Sequence, residues 1–279
     1  MRSLTPGAVR DLLAAHDRRP SRALGQHFLA DPNLARKIVR LADVGADDRV
    51  LEIGPGIGSL TVALAETGAQ VVALELDRYL LPVLDDVLGD APNVNVAHGD
   101  ALVADLDALM GGPNEASEWA CVSNLPYNVA TPMVVRLLEE FPAMSRCLVM
   151  VQREVGERLV AGPGTKAYGA VSVKVAYYAN ARIVDTVAAT VFVPPPNVAS
   201  ALVRLDRHAA PPVEVPSAGA LFSLVRTGFA QRRKTLRRAL EPALGARTEA
   251  VLAAAGIDGR TRAEALDLDD WARVCREAA

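Results

Sequence analysis

A chain of 279 residues, 51% of them hydrophobic, can bury one large core and a smaller second one, and no apolar run in it approaches a membrane span. Its three cysteines and four histidines are scattered without C-x-x-C or metal-ligand spacing, which favours a reducing cytoplasm and argues against a disulfide framework or a metal site. The net charge of −3 conceals a division: residues 41–120 carry 15 acids and 2 bases, residues 1–40 carry 8 bases and 3 acids, and Arg226–Arg238 holds 6 bases and no acid. An acidic chain with its bases gathered in this way is still suited to a polyanionic partner. The opening Met1-Arg2-Ser3-Leu4-Thr5-Pro6 has no signal-peptide core, so a cytoplasmic protein is expected.

Taken in chain order, short apolar runs at 49–53, 70–74, 93–97, 119–123 and 147–151 are predicted strands. The segments between them, such as 59–67 and 79–88, are long enough for helices. This alternation predicts an α/β fold: a parallel sheet with helices on both faces and ligands at the carboxyl ends of the strands. Residues 171–179 and 200–206 are predicted as further strands, with the proline-rich Phe192-Val193-Pro194-Pro195-Pro196 between them. Residues 207–220 are predicted as a linker, and 221–240, 248–255 and 263–277 as helices. The expected organisation is an α/β domain over 1–206, including a basic extension at 1–40, then the linker and a small all-α domain over 221–279.

Four strand ends carry the candidate chemistry. The first runs into Gly54-Pro55-Gly56-Ile57-Gly58, a turn in which bare backbone can lie against a ligand. Its spacing is G-x-G-x-G rather than the dinucleotide G-x-G-x-x-G, and Pro55 removes an N–H that a pyrophosphate would need. The second strand ends at Glu75, about 20 residues beyond the glycines, where a carboxylate can accept from ribose hydroxyls. The third leads to Asp100, placed to accept from an adenine amine. The fourth ends in Asn124-Leu125-Pro126-Tyr127: a side-chain carbonyl, a stiffened loop of backbone carbonyls, and a flat ring, together a socket for a planar base bearing an amino group. A ribose, an adenine and a cation without phosphate suit this acid-rich set, Glu52 included, so S-adenosylmethionine fits better than NAD.

These segments resemble class I methyltransferases. With Leu24-Gly25-Gln26-His27-Phe28-Leu29, Phe192–Ala201 (F-V-P-P-P-N-V-A-S-A) and Phe229-Ala230-Gln231-Arg232-Arg233-Lys234-Thr235-Leu236, the chain resembles, from about Arg22 onward, the small-subunit ribosomal RNA adenine N6,N6-dimethyltransferase family. The resemblance implies a Rossmann-like sheet with a C-terminal all-α domain. It also implies contacts to S-adenosylmethionine from His27, Leu29, Gly54, Glu75, Asp100 and Asn124. Many relatives have Asn at the position of His27. The base would be held by Asn124, Leu125, Pro126 and Tyr127, with Phe192 as a second stacking face. The implied substrate is the N6 amines of two adjacent adenines near the 3′ end of 16S rRNA in an immature 30S subunit, acted on by a monomer with no metal and no membrane.

The basic C-terminal run carries a further expectation: Arg226, Arg233 and Arg237 on one face of a single helix, tracking phosphates. Rival readings are an enzyme for a large-subunit rRNA or DNA adenine, an NAD-dependent oxidoreductase, and a ribosome-assembly factor whose role is mainly binding.

Overall fold

The computed structural model describes residues 4–112 and 118–279, so the first three residues of the basic extension lie outside the described residues. The strands are β1 (Phe28–Leu29), β2 (Arg49–Ile53), β3 (Gln70–Glu75), β4 (Val94–His98), β5 (Trp119–Asn124), β6 (Met144–Gln152), β7 (Ala179–Val187), β8 (Phe192–Val193) and β9 (Ser200–Arg207). Seven of them form one sheet in the order β4-β3-β2-β5-β6-β9-β7, while β1 and β8 pair as a short antiparallel ribbon. From β4 to β6 every pairing is parallel, and β9 then runs antiparallel to β6.

Strand β2 has β3 on one side and β5 on the other, so the chain order reverses there. Such a switch point opens a crevice at the carboxyl ends of the two flanking strands. Local chemistry sets the helices that cover the sheet. Asp31 caps the helix Pro32–Ala42 by accepting from the N–H groups of Asn33 and Leu34, with proline in the first turn. The helix Ser59–Ala65 starts from Gly58, whose φ of +86° suits glycine and whose added Cβ would lie 3.2 Å from Leu84. Two apolar clusters result: Ile38, Val39, Leu60 and Leu64 pack with sheet residues Val50, Val71 and Val122, and Val62, Leu84 and Val87 pack with Phe28 and Ile57.

The chain divides into two compact units, one running up to Gly156 and resuming at Arg182–Arg207, the other made of Glu157–Ala181 and His208–Ala279. The helical unit therefore takes in a segment that the linear division at 206 and 221 assigns to the α/β domain. Residues 171–179, expected as a strand, form the helix Ala170–Tyr178. Val173 and Tyr177 are buried there with Leu221, Phe222 and Trp271, and a helix buried among apolar neighbours shows the same unbroken hydrophobic run as an inner strand. Ser172 fixes its start by accepting from the N–H of Gly169 while donating to the carbonyl of Arg158. The neighbouring β7 has no counterpart among the predicted strands.

The expected single helix over 221–240 is two, Ala218–Ala230 and Leu236–Leu244. At the break, the N–H groups of Leu236 and Arg237 donate to the carbonyls of Thr261 and Gly259, partners far along the chain that replace those of a continuous helix. Arg233 falls in the turn between them, so Arg226, Arg233 and Arg237 do not share a helical face. The final predicted helix begins as a short 3₁₀ turn at Ala263–Ala265, with the α-helix at Leu268–Ala278. No helix among the described residues is long and apolar enough to cross a membrane.

Candidate functional site

An open cleft of about 1050 Å³, counting space shared with solvent, lies at the carboxyl ends of β2, β3 and β5 within the α/β unit. Its lining includes His27, Leu29, Gly54, Glu75, Asp100 and Asn124, six positions contributed by five separate stretches of chain. The parallel register brings them together, because adjacent strands end level: Ile53 pairs with Leu74, and Glu75 with His98.

Glu75 is buried and rigidly held. One carboxylate oxygen accepts from the N–H of Gly56 at 2.9 Å and the other from the N–H of Asp77 at 2.8 Å. Burial raises its pKa, and the two backbone donors oppose that rise. Each oxygen keeps a lone pair for a ligand hydroxyl. The glycine turn is bare where it matters: Gly54 has φ +68° and a Cβ there would meet Pro126 at 3.3 Å, while Gly56 has φ +61° and its Cβ would meet Phe28 at 3.0 Å. Asp100 uses one oxygen to accept from the N–H of Leu102 at 2.9 Å, and its side chain is exposed at the mouth.

Asn124 donates from its amide nitrogen to the carbonyl of His27 at 3.3 Å, which turns its Oδ1 to the role of acceptor. Tyr127 stacks with His27 at a centroid separation of 5.5 Å and 29° between planes, and its hydroxyl pairs with the buried Ser200 at 2.8 Å. Burial raises the Tyr127 pKa. His27 donates from Nδ1 to the carbonyl of Pro194 at 2.8 Å, which leaves Nε2 unprotonated in the neutral ring. Leu29 is both wall and core: it lines the cleft, packs with Phe192, and its carbonyl accepts from the Ser59 hydroxyl.

Phe192 does not line the cleft. It is 2% exposed, pairs with Leu29 across the β1–β8 ribbon and packs in the core with Val122 and Leu202. The structure gives it a core role in place of the expected second stacking face, because its ring presents no open surface for a base.

Glu52 is the least satisfied group of the cleft. It is 1% exposed, lines the floor, and its Oε2 has no hydrogen-bond partner; the nearby Thr61 hydroxyl is likewise unpartnered. Burial pushes its carboxyl up to about 8, and Glu75 adds to the rise while Thr61 opposes it without reaching hydrogen-bond geometry. An orphaned carboxylate in an acidic floor fits a cationic ligand, and the bare Gly54–Gly56 backbone beside the Glu75 acceptors fits a nucleoside. The residues present thus fit S-adenosylmethionine.

Several partners support these residues, and Gln26, in the segment Leu24–Leu29 that carries the resemblance, is expected to close the pocket from the N-terminal side. Gln26 donates to Asp77 at 2.9 Å and accepts from the N–H of Ser21 at 2.8 Å, closing the loop 21–26 over the Glu75 corner. Ser123 accepts from the N–H of Ile53 at 2.9 Å and locks β2 to β5. Pro194 and Ser200 both fall in Phe192–Ala201, a segment that carries the resemblance, the one sequence signal for their involvement. Among the described residues no cluster of three or more His, Cys, Asp or Glu side chains could hold a metal ion.

In the helical unit, two of the six bases in 226–238 have acidic partners from elsewhere in that unit. Arg232 pairs with Glu264 at 3.0 Å and Arg237 with Glu249 at 2.7 Å. Arg226, Arg233, Lys234 and Arg238 are exposed.

A family model described as ribosomal RNA adenine dimethylase matches residues 18–279. Ribosomal RNA small subunit methyltransferase A of Geobacillus kaustophilus is 44% identical over 282 residues, covering 99% of this chain and 96% of that one. The protein of the same name from Thermobifida fusca is 46% identical over 275 residues, covering 98% and 95%. Among solved structures, the 23S rRNA methyltransferase ErmE aligns with a TM-score of 0.68 at 28% identity, over 90% of this chain and 98% of that one. A dimethyladenosine transferase from Plasmodium falciparum aligns with a TM-score of 0.73 over 89% and 96%; at 23% identity it speaks for the fold alone.

Proposed function

The chain belongs to the ribosomal RNA adenine dimethylase family, and from that premise we propose how its cleft acts and on which RNA. It is an S-adenosylmethionine-dependent methyltransferase that dimethylates adenine N6 in ribosomal RNA. The substrate we propose is small-subunit 16S rRNA, at two adjacent adenines near the 3′ end, met in an immature 30S subunit in the cytoplasm by a monomeric enzyme. The names of these two nearly full-length relatives support the small subunit over the large one.

Glu75 is proposed to hold the cofactor ribose, Asp100 its adenine amine, and His27, Leu29 and the Gly54 turn its flank. When bound, S-adenosylmethionine supplies an electrophilic methyl group. The work of the protein is to make a poor nucleophile competent, since the lone pair of an exocyclic amine is delocalised into its ring. Asn124 Oδ1 accepts one N–H of the target amine. The Pro126 carbonyl already accepts from the N–H of Val129 at 3.1 Å, so the Leu125 carbonyl is the backbone acceptor for the second. Two fixed acceptors draw the nitrogen toward tetrahedral geometry and aim its lone pair, an effect of orientation and preorganised electrostatics. Tyr127 provides the stacking face, worth about 1–3 kcal/mol for one base, and the adenine must leave any helix to reach it.

The observation that carries this reading is the convergence of the glycine turn, Glu75, Asp100 and an Asn124 with a fixed amide orientation on one cleft. The test is transfer of labelled methyl to small subunits lacking adenine methylation, with mature subunits, large subunits and DNA in parallel. N6,N6-dimethyladenosine formed only on the undermethylated small subunit is the expected result; label on large subunits or DNA instead would remove the substrate assignment.

A further inference from the structure

Glu52 stands apart from the other acids of the cleft. Glu75 has two backbone donors and Asp100 has one, but Glu52 Oε2 has none and is sealed from water. The groups acting on it are Thr61 on the helix Ser59–Ala65, Glu75 on β3 and Cys121 on β5. Ser123 already pairs with the N–H of Ile53 and the thiol of Cys121. The charged neighbours that act on Glu52 are acidic, and no cation is among them. A buried carboxylate with one oxygen unpartnered, a single hydroxyl nearby and no cation beside it favours its protonated form.

Resting on the methyltransferase reading, we propose that Glu52 is a proton-linked charge gauge: neutral in the free cleft, it releases its proton when the sulfonium-bearing cofactor enters and takes one back after methyl transfer. The balance is simple. The amine lone pair forms the new N–C bond, the C–S bonding pair stays on sulfur, and the amine sheds one proton to solvent, from which Glu52 takes its own. The cleft thereby loses one positive charge, and reprotonation of Glu52 removes the matching negative one. The thioether product then leaves a floor no longer charged in its favour. Product exchange is required between the first and second methylation of each adenine, so weak retention of the product serves the dimethylation itself.

The sign of the pH effect follows. Cofactor binding that lowers the Glu52 pKa expels its proton between the bound value and the free value of about 8, so affinity for S-adenosylmethionine tightens as pH rises through that window and levels off above about 8. S-adenosylhomocysteine, with no sulfonium, does not share that rise. Calorimetric titration of both ligands into the wild-type protein and Glu52→Gln, from about pH 6 to about pH 9 in buffers of differing ionisation heat, reads the affinities and the protons exchanged. The expected result is a wild-type cofactor-to-product affinity ratio that climbs about tenfold, the change that a shift of one pKa unit gives. The ratio should stay flat in Glu52→Gln. The ligand's own amine titrates alike in both proteins and drops out of that comparison.

A flat wild-type ratio, or the same rise in Glu52→Gln, overturns the inference and leaves the methyltransferase reading intact; failure of both ligands to bind the wild type overturns the two together. The wild-type proton count alone also decides. More protons released with the cofactor than with the product supports the gauge, and equal counts refute it. Thermal melts of the free protein give a readout independent of ligand. A carboxyl whose folded pKa is raised from 4.5 to about 8 stabilises the fold fully below the lower value and loses that contribution as pH rises through the upper one. Glu52→Gln should therefore melt with a flatter pH dependence than the wild type, and identical profiles would count against the proposal.

Discussion

In the cleft of the α/β unit, the polar groups are held by short, mostly backbone partners: Glu75 by the N–H groups of Gly56 and Asp77, Asn124 by the carbonyl of His27, Tyr127 by Ser200. In the helical unit, the bases of 226–238 are exposed or joined to acids through half-exposed ion pairs such as Arg232–Glu264 and Arg237–Glu249. The contrast fits the two kinds of ligand proposed for the two regions. A small cofactor and a single base are selected by atoms fixed to fractions of an ångström, which requires donors that the backbone cannot release. A phosphate backbone is attracted by charge at a distance, so long mobile side chains suffice and salt screens them.

That contrast can be broken or sharpened in order of expected effect. Asn124→Ala should lower the methyl-transfer rate by about 10²–10³-fold, as loss of a preorganised polar contact to the reacting group does, while cofactor affinity measured by calorimetry falls far less. A parallel fall in both would recast Asn124 as a cofactor ligand only. Glu75→Ala should weaken cofactor binding by roughly 2–3 kcal/mol, the scale of hydrogen bonds to a charged group, with the loss confined to affinity for cofactor and product. Unchanged affinity would remove Glu75 from the ribose.

Smaller effects probe the basic side. Arg233→Glu combined with Lys234→Glu should weaken rRNA binding by about tenfold or more and flatten its dependence on log salt by about 2, because each phosphate contact adds about one to that slope. Cofactor affinity should not move. Loss of both affinities would mean a folding defect, whereas loss of RNA affinity with an unchanged salt slope would mean these side chains do not meet phosphates. The smallest expected change is Tyr127→Phe, which keeps the ring and loses the Ser200 pairing. A cost of about 1 kcal/mol in stability is expected, with a modest rise in KM for RNA in initial-rate assays. A rate loss on the scale of Asn124→Ala would place the hydroxyl, rather than the ring, at the chemistry.

The four strand ends were readable in the linear sequence because each pairs a short apolar run with one polar residue, and parallel register delivers all such residues to the same edge. Spacing of this kind brings Gly54, Glu75, Asp100 and Asn124 to the cleft lining, and the resemblance of the segment around His27 and Leu29 points to those two. Glu52 was visible as one more acid, but its isolation was not, since only the packed structure shows that its Oε2 has no partner. Residues 171–179 were misassigned because periodicity is silent for an element buried on every side.

What the sequence by itself determined is therefore the alternation of strands and helices, the glycine turn, and the polar letters at the strand ends, all of which depend on neighbours in the chain. Tertiary structure alone decided the rest. It put Phe192 in the core rather than on the cleft wall, because pairing with Leu29 buries its ring. It divided the helix at 231–235, because the carbonyls of Thr261 and Gly259 capture N–H groups that a continuous helix would have used. It placed residues 157–181 with the helical unit. It also left Glu52 Oε2 without a partner in the floor of the cleft, because a carboxylate's surroundings are set by packing in space, and sequence spacing carries no record of that.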